Sequence, residues 1–397
     1  MTLFRHTGRN LVSACAVMAA WVVAISCSDR STRADIPTLT LGSPQARSSQ
    51  GFTFVSSVRV LPDDRVLLVD PREASIVVFN PSLSEAHPVS RRGPGPGEWL
   101  TAGPFFAMRA DTSLQADPVS RRWRVWSDTS ITYTLPPDSP MAVWASLLPR
   151  GADADGHVLL SAVEDPRFTH TETGPVTPKF PAVLIDFPNA SVVDTVAILA
   201  DAPATIEIVG DGPPETQVRA LSRGAFATGE DAVLFADGAV AVARLNPYRV
   251  DWYRLNGRDS LIGAPFGIDG TPVTDRERQA YLDRYSKTIE SLKQGDPEMR
   301  RVLMRRFTDF PANIPPFGDY SLLAGGDGRL YVQRSETASD TLPRYDIVDR
   351  RSKLVGQLVL GSKGMRLVAA TPSHWFIVSR DEMDLEYLEK YLNPLAR

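Results

Sequence analysis

The chain has 397 residues, 43% hydrophobic and 23% charged, with a formal net charge of −4. That length allows one large domain or two ordinary ones, and so mild a charge excludes the basic footprint of a nucleic-acid-binding protein. With 32 prolines and few helix-forming runs, the composition favours strands and turns.

In chain order, the first segment reads as an export signal. Arg5, His6 and Arg9 precede an uncharged apolar run, Leu11–Ser26, which is shorter than the ~20 residues a membrane span needs. "VAISC", ending at Cys27, resembles the lipobox of bacterial lipoproteins, where a small residue precedes a cysteine that is cut and acylated. Ala24 departs from the usual leucine, and Ser28 stands where aspartate would imply inner-membrane retention. The resemblance implies a signal peptide over 1–26, lipid on Cys27 and a polar tether over 27–35. It also implies membrane attachment through that lipid, at the outer membrane of the cell envelope, facing periplasm or exterior. The only other cysteine is Cys15, so the mature chain has no disulfide to lean on.

One unit then recurs: a polar turn followed by an apolar strand. Copies are Leu61–Asp70, Ala110–Pro118, Asp153–Val163, Phe235–Arg244, Gly325–Arg334 and Thr371–Arg380. Asp-Gly suits a hairpin turn because glycine tolerates positive φ. Each copy is followed by further strands, such as Ser75–Pro81, Arg122–Asp128, Pro181–Phe187, Arg249–Gly257 and Arg344–Arg350. Four strands per unit, at a spacing of roughly 45 residues, is a propeller blade. Two gaps are nearly double, and read as insertions. The expected fold is all-β, a six-bladed β-propeller over 36–397. The last blade lacks an outer strand, and Ile36–Gly42 lacks a blade, so this N-terminal strand is expected to close the ring on Thr371–Asn393.

"RRGPGPGEWL" (Arg91–Leu100) could cradle a phosphate or turn a corner between blades. No helix pattern follows it, and Pro94 and Pro96 remove two N–H donors, so a corner is expected. A strand ending "VVFNP", followed by this Gly-Pro-Gly-Glu-aromatic corner, resembles the NHL-type six-bladed β-propellers of bacterial lipoproteins. Phe310–Val332 resembles a second stretch of that family. The resemblance spans about residues 36–393, agreeing with a blade count taken from turn spacing, and it implies a fold rather than an activity.

Between blades 4 and 5 the β pattern breaks over 274–308. Thr274 and Glu277 form a capping box, and Tyr281, Tyr285, Ile289 and Leu292 make one helical stripe. A second helix starts at Asp296-Pro297, with Met299, Val302, Leu303 and Phe307 as its apolar face. Arg300, Arg301, Arg305 and Arg306 cluster on it, as a candidate anion or partner site or as a solvated face. The second insertion, Asp201–Gly224, reads as a long loop.

No catalytic residue is assigned, because no zinc-protease, hydrolase-elbow, redox or nucleotide motif is present, and no cofactor is expected. His87, His157, His170 and His374 are scattered, and "DADG" at 153–156 reads as a turn rather than a calcium loop. Trp123, Trp126, Trp144, Trp252, Tyr253, Tyr331 and Trp375 read as inter-blade core. The expected function is a binding or scaffold module for a protein, peptide or glycan. The alternative is a metal-dependent, lactonase-like hydrolase or lyase with an axial site.

Overall fold

The computed structural model describes residues 36–396, except 94, 96–97, 146–148, 162–172, 211–217, 255–258, 295–296 and 341. The signal segment, Cys27, His170, Pro94, Pro96 and the Gly295-Asp296 helix junction lie outside the described residues.

Most of the chain is strand. Among the described residues, six sheets follow one plan, in which the chain runs outward strand by strand with antiparallel neighbours. The first sheet holds Ser57–Val60, Val66–Asp70, Ser75–Phe79 and Ala86–Arg92. The second runs from Phe105–Ala107 to Ser130–Leu135, and the third from Pro149–Ala152 to Ser191–Ala200. The fourth contains Asp231–Leu234, Ala239–Leu245 and Tyr248–Arg254. The fifth runs from Phe317–Ala324 to Leu354–Val359, and the sixth from Arg366–Ala370 to Glu386–Leu392. This is a β-propeller plan.

The sequence dictates this packing. "VLLV" at 66–69 is continuously apolar because both faces of its strand are covered. Val66 and Leu68 pack with Phe376, Val378 and Leu388 of the sixth sheet, whereas Leu67 and Val69 pack with Trp99, Phe105 and Trp126 on the other side. Each fully buried side chain of this kind contributes about 2 kcal/mol. A separate apolar core lies between every pair of successive sheets. The first strands adjoin in order: 57–60 beside 105–107, then 149–152, 231–234, 317–324 and 366–370, the last again beside 57–60.

The N-terminal segment pairs differently from the sequence expectation. Thr38–Thr40 adds in parallel to the outer edge of the fifth sheet, through Thr38 with Gln357 and Thr40 with Val359. The fourth strand of the sixth sheet is Ala46–Arg47, antiparallel to Glu389–Lys390. The entering chain thus covers two neighbouring edges in turn. Leu39 and Leu41 pack on the core between those two sheets.

The glycine-proline segment is a corner whose own acid fills it. Glu98-Trp99 pairs in parallel with Arg91-Arg92. The Glu98 carboxylate accepts from Gly95 N–H at 2.9 Å and from Arg91 at 2.8 Å, and these two bonds hold it below the usual carboxylate range. A side chain at Gly93 would run into that carboxylate. Beneath the corner, buried Arg124 lies 3.6 Å over Trp99 and donates to the Glu98 carbonyl. Trp99 in turn stacks on Trp126 at 6.3 Å.

The two gaps in the repeat hold extra structure. Asp201–Gly224 is not the expected loop: Ala204–Val209 and Val218–Arg223 form a hairpin, joined by Gly174–Val176 in a separate three-stranded sheet. Ile206 and Ile208 alternate with Thr205 and Glu207 in the period-2 pattern of a strand, and of the two isoleucines Ile206 is buried while Ile208 is exposed. The helical gap contains three helices among the described residues rather than the two expected, because the first breaks at Tyr285: Asp275–Arg284, Ser286–Leu292 and Pro297–Thr308. Thr274 caps the first through the Glu277 N–H. The Glu277 carboxylate instead accepts from Ala338 N–H at 2.6 Å, so it ties the helix to the fifth sheet's loop and the reciprocal half of the box is absent. Among the described residues, no helix is long and apolar enough to cross a membrane.

Candidate functional site

Two cavities stand out. The first, about 540 Å³, is axial, and strands at the start of all six sheets line it. Its wall is largely apolar or backbone, from Val58, Phe106, Gly151, Leu234, Ala324 and Ala369. The lining carboxylate, Asp237, is engaged by Arg350, which lies over Phe235 and Trp252. Arg59 is spent on Ser113 and two backbone carbonyls. One carboxylate paired with a guanidinium is not a cation donor set. Among the described residues, no three His, Cys, Asp or Glu side chains gather as metal ligands. The described residues lining the axis do not present the converging carboxylates or histidines that a metal there would need.

The described histidines lie off this cavity. His157 Nδ1 is 2.8 Å from Asp153 Oδ2 within its own hairpin turn, whose acid also accepts two backbone N–H groups. The "DADG" acid is therefore consumed by the turn. His374 bonds to Ser373, and burial lowers its pKa. His87 is exposed on the first sheet's outer strand.

The second cavity, about 740 Å³, lies between the helical insertion and the fifth sheet. Three segments build it. The helices contribute Tyr281, Arg284, Tyr285, Leu303 and Arg306. The end of the 218–223 strand and the turn after it contribute Ser222, Arg223, Phe226 and Thr228. The fifth sheet contributes a β-bulge: register shifts between Phe317 and Leu322, which turns Gly318, Asp319 and Ser321 into the cleft. The stripe anticipated from sequence anchors the helices, since Tyr281, Phe307, Ile289 and Leu292 pack on Ala225, Phe226 and Phe310. Val302 and Met299 pack on Val209 and Ala220. Leu303, expected on that apolar face, is 42% exposed and lines the cleft instead.

The arginines divide by partner. Arg284 pairs with Glu336 at 2.7 Å and Arg334 with Asp346 at 3.2 Å, while Arg223 pairs with Asp201. The Arg306 guanidinium lies 5.5 Å from the Tyr285 ring centroid, and among the described residues no carboxylate pairs with it. Burial lifts the Tyr281 hydroxyl above its ordinary range, against the pull of Arg306. Of the four arginines singled out from sequence, Arg306 lines the cleft. Arg301 and Arg305 pair with Glu207 of the lateral hairpin, and Arg300 donates to the Lys293 carbonyl at 2.8 Å. Asp319 accepts from Thr228 at 2.8 Å. Behind it, burial raises Asp201 and Asp231 above the usual carboxylate range, and Asp319 adds to the effect. Sequence reasoning assigned no cleft role to Arg284, Asp319 or Arg334. Their chemistry depends on a bulge and on partners far away in the chain.

No protein-family model and no curated relative matches the chain. Solved structures do. A candidate exported protein from Bacteroides fragilis gives a TM-score of 0.45 at 12% identity, over 90% of this chain and 99% of that one. A gluconolactonase from Xanthomonas campestris gives 0.38 at 10%, over 86% and 87%. Virginiamycin B lyase from Staphylococcus aureus gives 0.37 at 8%, over 87% and 98%. At such values the likeness carries neither activity nor ligand to this chain.

Proposed function

We propose that this chain is a lipid-anchored, six-bladed β-propeller of the cell envelope, of the NHL-type lipoprotein kind. In this reading it acts as a binding module, holding a protein, peptide or glycan ligand in the cleft beneath its helical insertion. The carrying observation is that cleft: about 740 Å³, polar, and walled by arginine and tyrosine side chains. Six successive first strands that return to their starting neighbour support the ring, and Ala46–Arg47 on the sixth sheet's edge supports its closure by N-terminal chain. The basic start, the short apolar run and "VAISC" support the anchor on Cys27 and an outer-membrane location. Arg306 contacts ligand, while Arg300, Arg301 and Arg305 steady the helix that carries it.

Two measurements test this. Salt-washed membranes should retain the wild-type chain and release Cys27→Ser, since salt strips peripheral charge contacts; a variant that stays with the membrane removes the anchor. Equilibrium dialysis against peptides and oligosaccharides from envelope hydrolysate should find compounds held by the wild type and lost in Ala227→Trp, which fills the cleft. Equal retention by both proteins removes the cleft as the site.

A further inference from the structure

The cleft's donors and acceptors narrow its ligand. Three of its wall arginines are committed to carboxylates: Arg223 to Asp201, Arg284 to Glu336 and Arg334 to Asp346. Arg306 instead lies 5.5 Å from the Tyr285 ring, a neutral neighbour that leaves its charge uncancelled, and among the described residues no carboxylate pairs with it. A planar guanidinium left in this way offers paired N–H donors to a carboxylate. The same wall carries Asp319 and Glu336, which only accept hydrogen bonds when ionised. Glu336 is already paired with Arg284 and Asp319 accepts from Thr228, and the lone pairs left on both suit a ligand rich in hydroxyl donors.

We propose that the cleft binds an acidic oligosaccharide, with a uronate carboxylate on Arg306 and ring hydroxyls donating to Asp319 and Glu336. This rests on the reading of the cleft as the ligand site. Neutral glycans lack the group that Arg306 awaits, and acidic peptides lack the hydroxyls that the two carboxylates await.

The test is titration calorimetry on the full chain in detergent, using tri-galacturonate and a hyaluronan tetrasaccharide as probes. Methyl-esterified tri-galacturonate keeps the hydroxyls without the charge, and triglutamate keeps the charge without the hydroxyls. At least one uronate probe should bind, with the ester and triglutamate at least about tenfold weaker, the scale of a lost charge-assisted hydrogen bond. Arg306→Ala should weaken the uronate by a similar factor, and Arg306→Lys should restore only part, because lysine lacks the fork. Circular dichroism confirms that each variant is folded. An ester or triglutamate that matches the uronate, an unaffected Arg306→Ala, or no uronate binding at all overturns the acidic-sugar assignment and leaves the cleft as a site for another ligand. Uronate binding that survives Ala227→Trp overturns the cleft reading itself.

Discussion

The two cavities are built on opposite terms. The axial one draws its wall from all six sheets, from Ser56 to Thr371, so each residue facing it also holds neighbouring sheets together. Its arginines are consumed there by Asp237, Asp231, Ser113 and backbone carbonyls. The lateral cleft draws on three local segments, and its helices have their own small cores, around Tyr281 and Phe307 and around Val302. A wall that carries the fold leaves little chemistry free for a ligand. An appendage with separate packing can vary its side chains at small cost to the sheets, and in this chain that is where an arginine is left facing open space.

Three perturbations sharpen or break this contrast. The largest effect is expected at the chain entry. A chain begun at Ser48 loses both Thr38–Thr40 and Ala46–Arg47, uncovering the edges of two sheets. Its Tm should fall by more than about 10 °C, or it should aggregate through those edges, whereas a chain begun at Asp35 should melt like the wild type. Matching melting curves would mean that the entry segment is decoration. Next is Gly151→Ala, on the axial wall. Gly151 has φ of +134°, and a Cβ there would strike the Leu234 carbonyl of the neighbouring sheet. The loss should be about 3 kcal/mol in chemical denaturation, with cleft binding unchanged; a loss below about 0.5 kcal/mol would show the axial wall to be as tolerant as an ordinary surface. The smallest effect on the fold is expected from replacing 274–308 with a short Gly/Ser linker. The β-type circular dichroism should persist with a Tm lower by only a few degrees, and ligand retention should vanish. Loss of the β signal would place the helices in the core and dissolve the distinction between the two regions.

The parts of the fold that were legible rest on local chemistry. Gly156, Gly238 and Gly328 hold positive φ in their hairpins, as their Asp-Gly pairs advertise. The run at 66–69 announces a strand buried on both faces. What stayed hidden depends on partners distant in sequence. The alternation in Ala204–Val209 was present, but the strand's meaning comes from pairing with Gly174–Val176 and Val218–Arg223. An unpaired strand at 36–42 was visible, whereas its choice of the fifth sheet over the sixth is set by where two edges come to lie in space. In the cleft, Tyr281 and Tyr285 were legible as an apolar stripe. Their place beside Arg306 in the cleft wall lies outside that pattern. The bulge that presents Asp319 leaves no periodic trace, because a bulge is a departure from periodicity.

The double pairing at the chain entry has a mechanical consequence. Any load applied ahead of Ile36 reaches the three-residue strand Thr38–Thr40 before it can reach Ala46–Arg47. The first of these lies on an outer edge and meets the load first, so it peels before the second and frees the chain between them. The second then still seals the sixth sheet, with Ser48 and Phe52 bonded to Leu388 and Glu386 behind it. The entry segment is thus a two-stage fuse, in which the sacrificial stage yields slack and the other protects the seam between the chain's two ends.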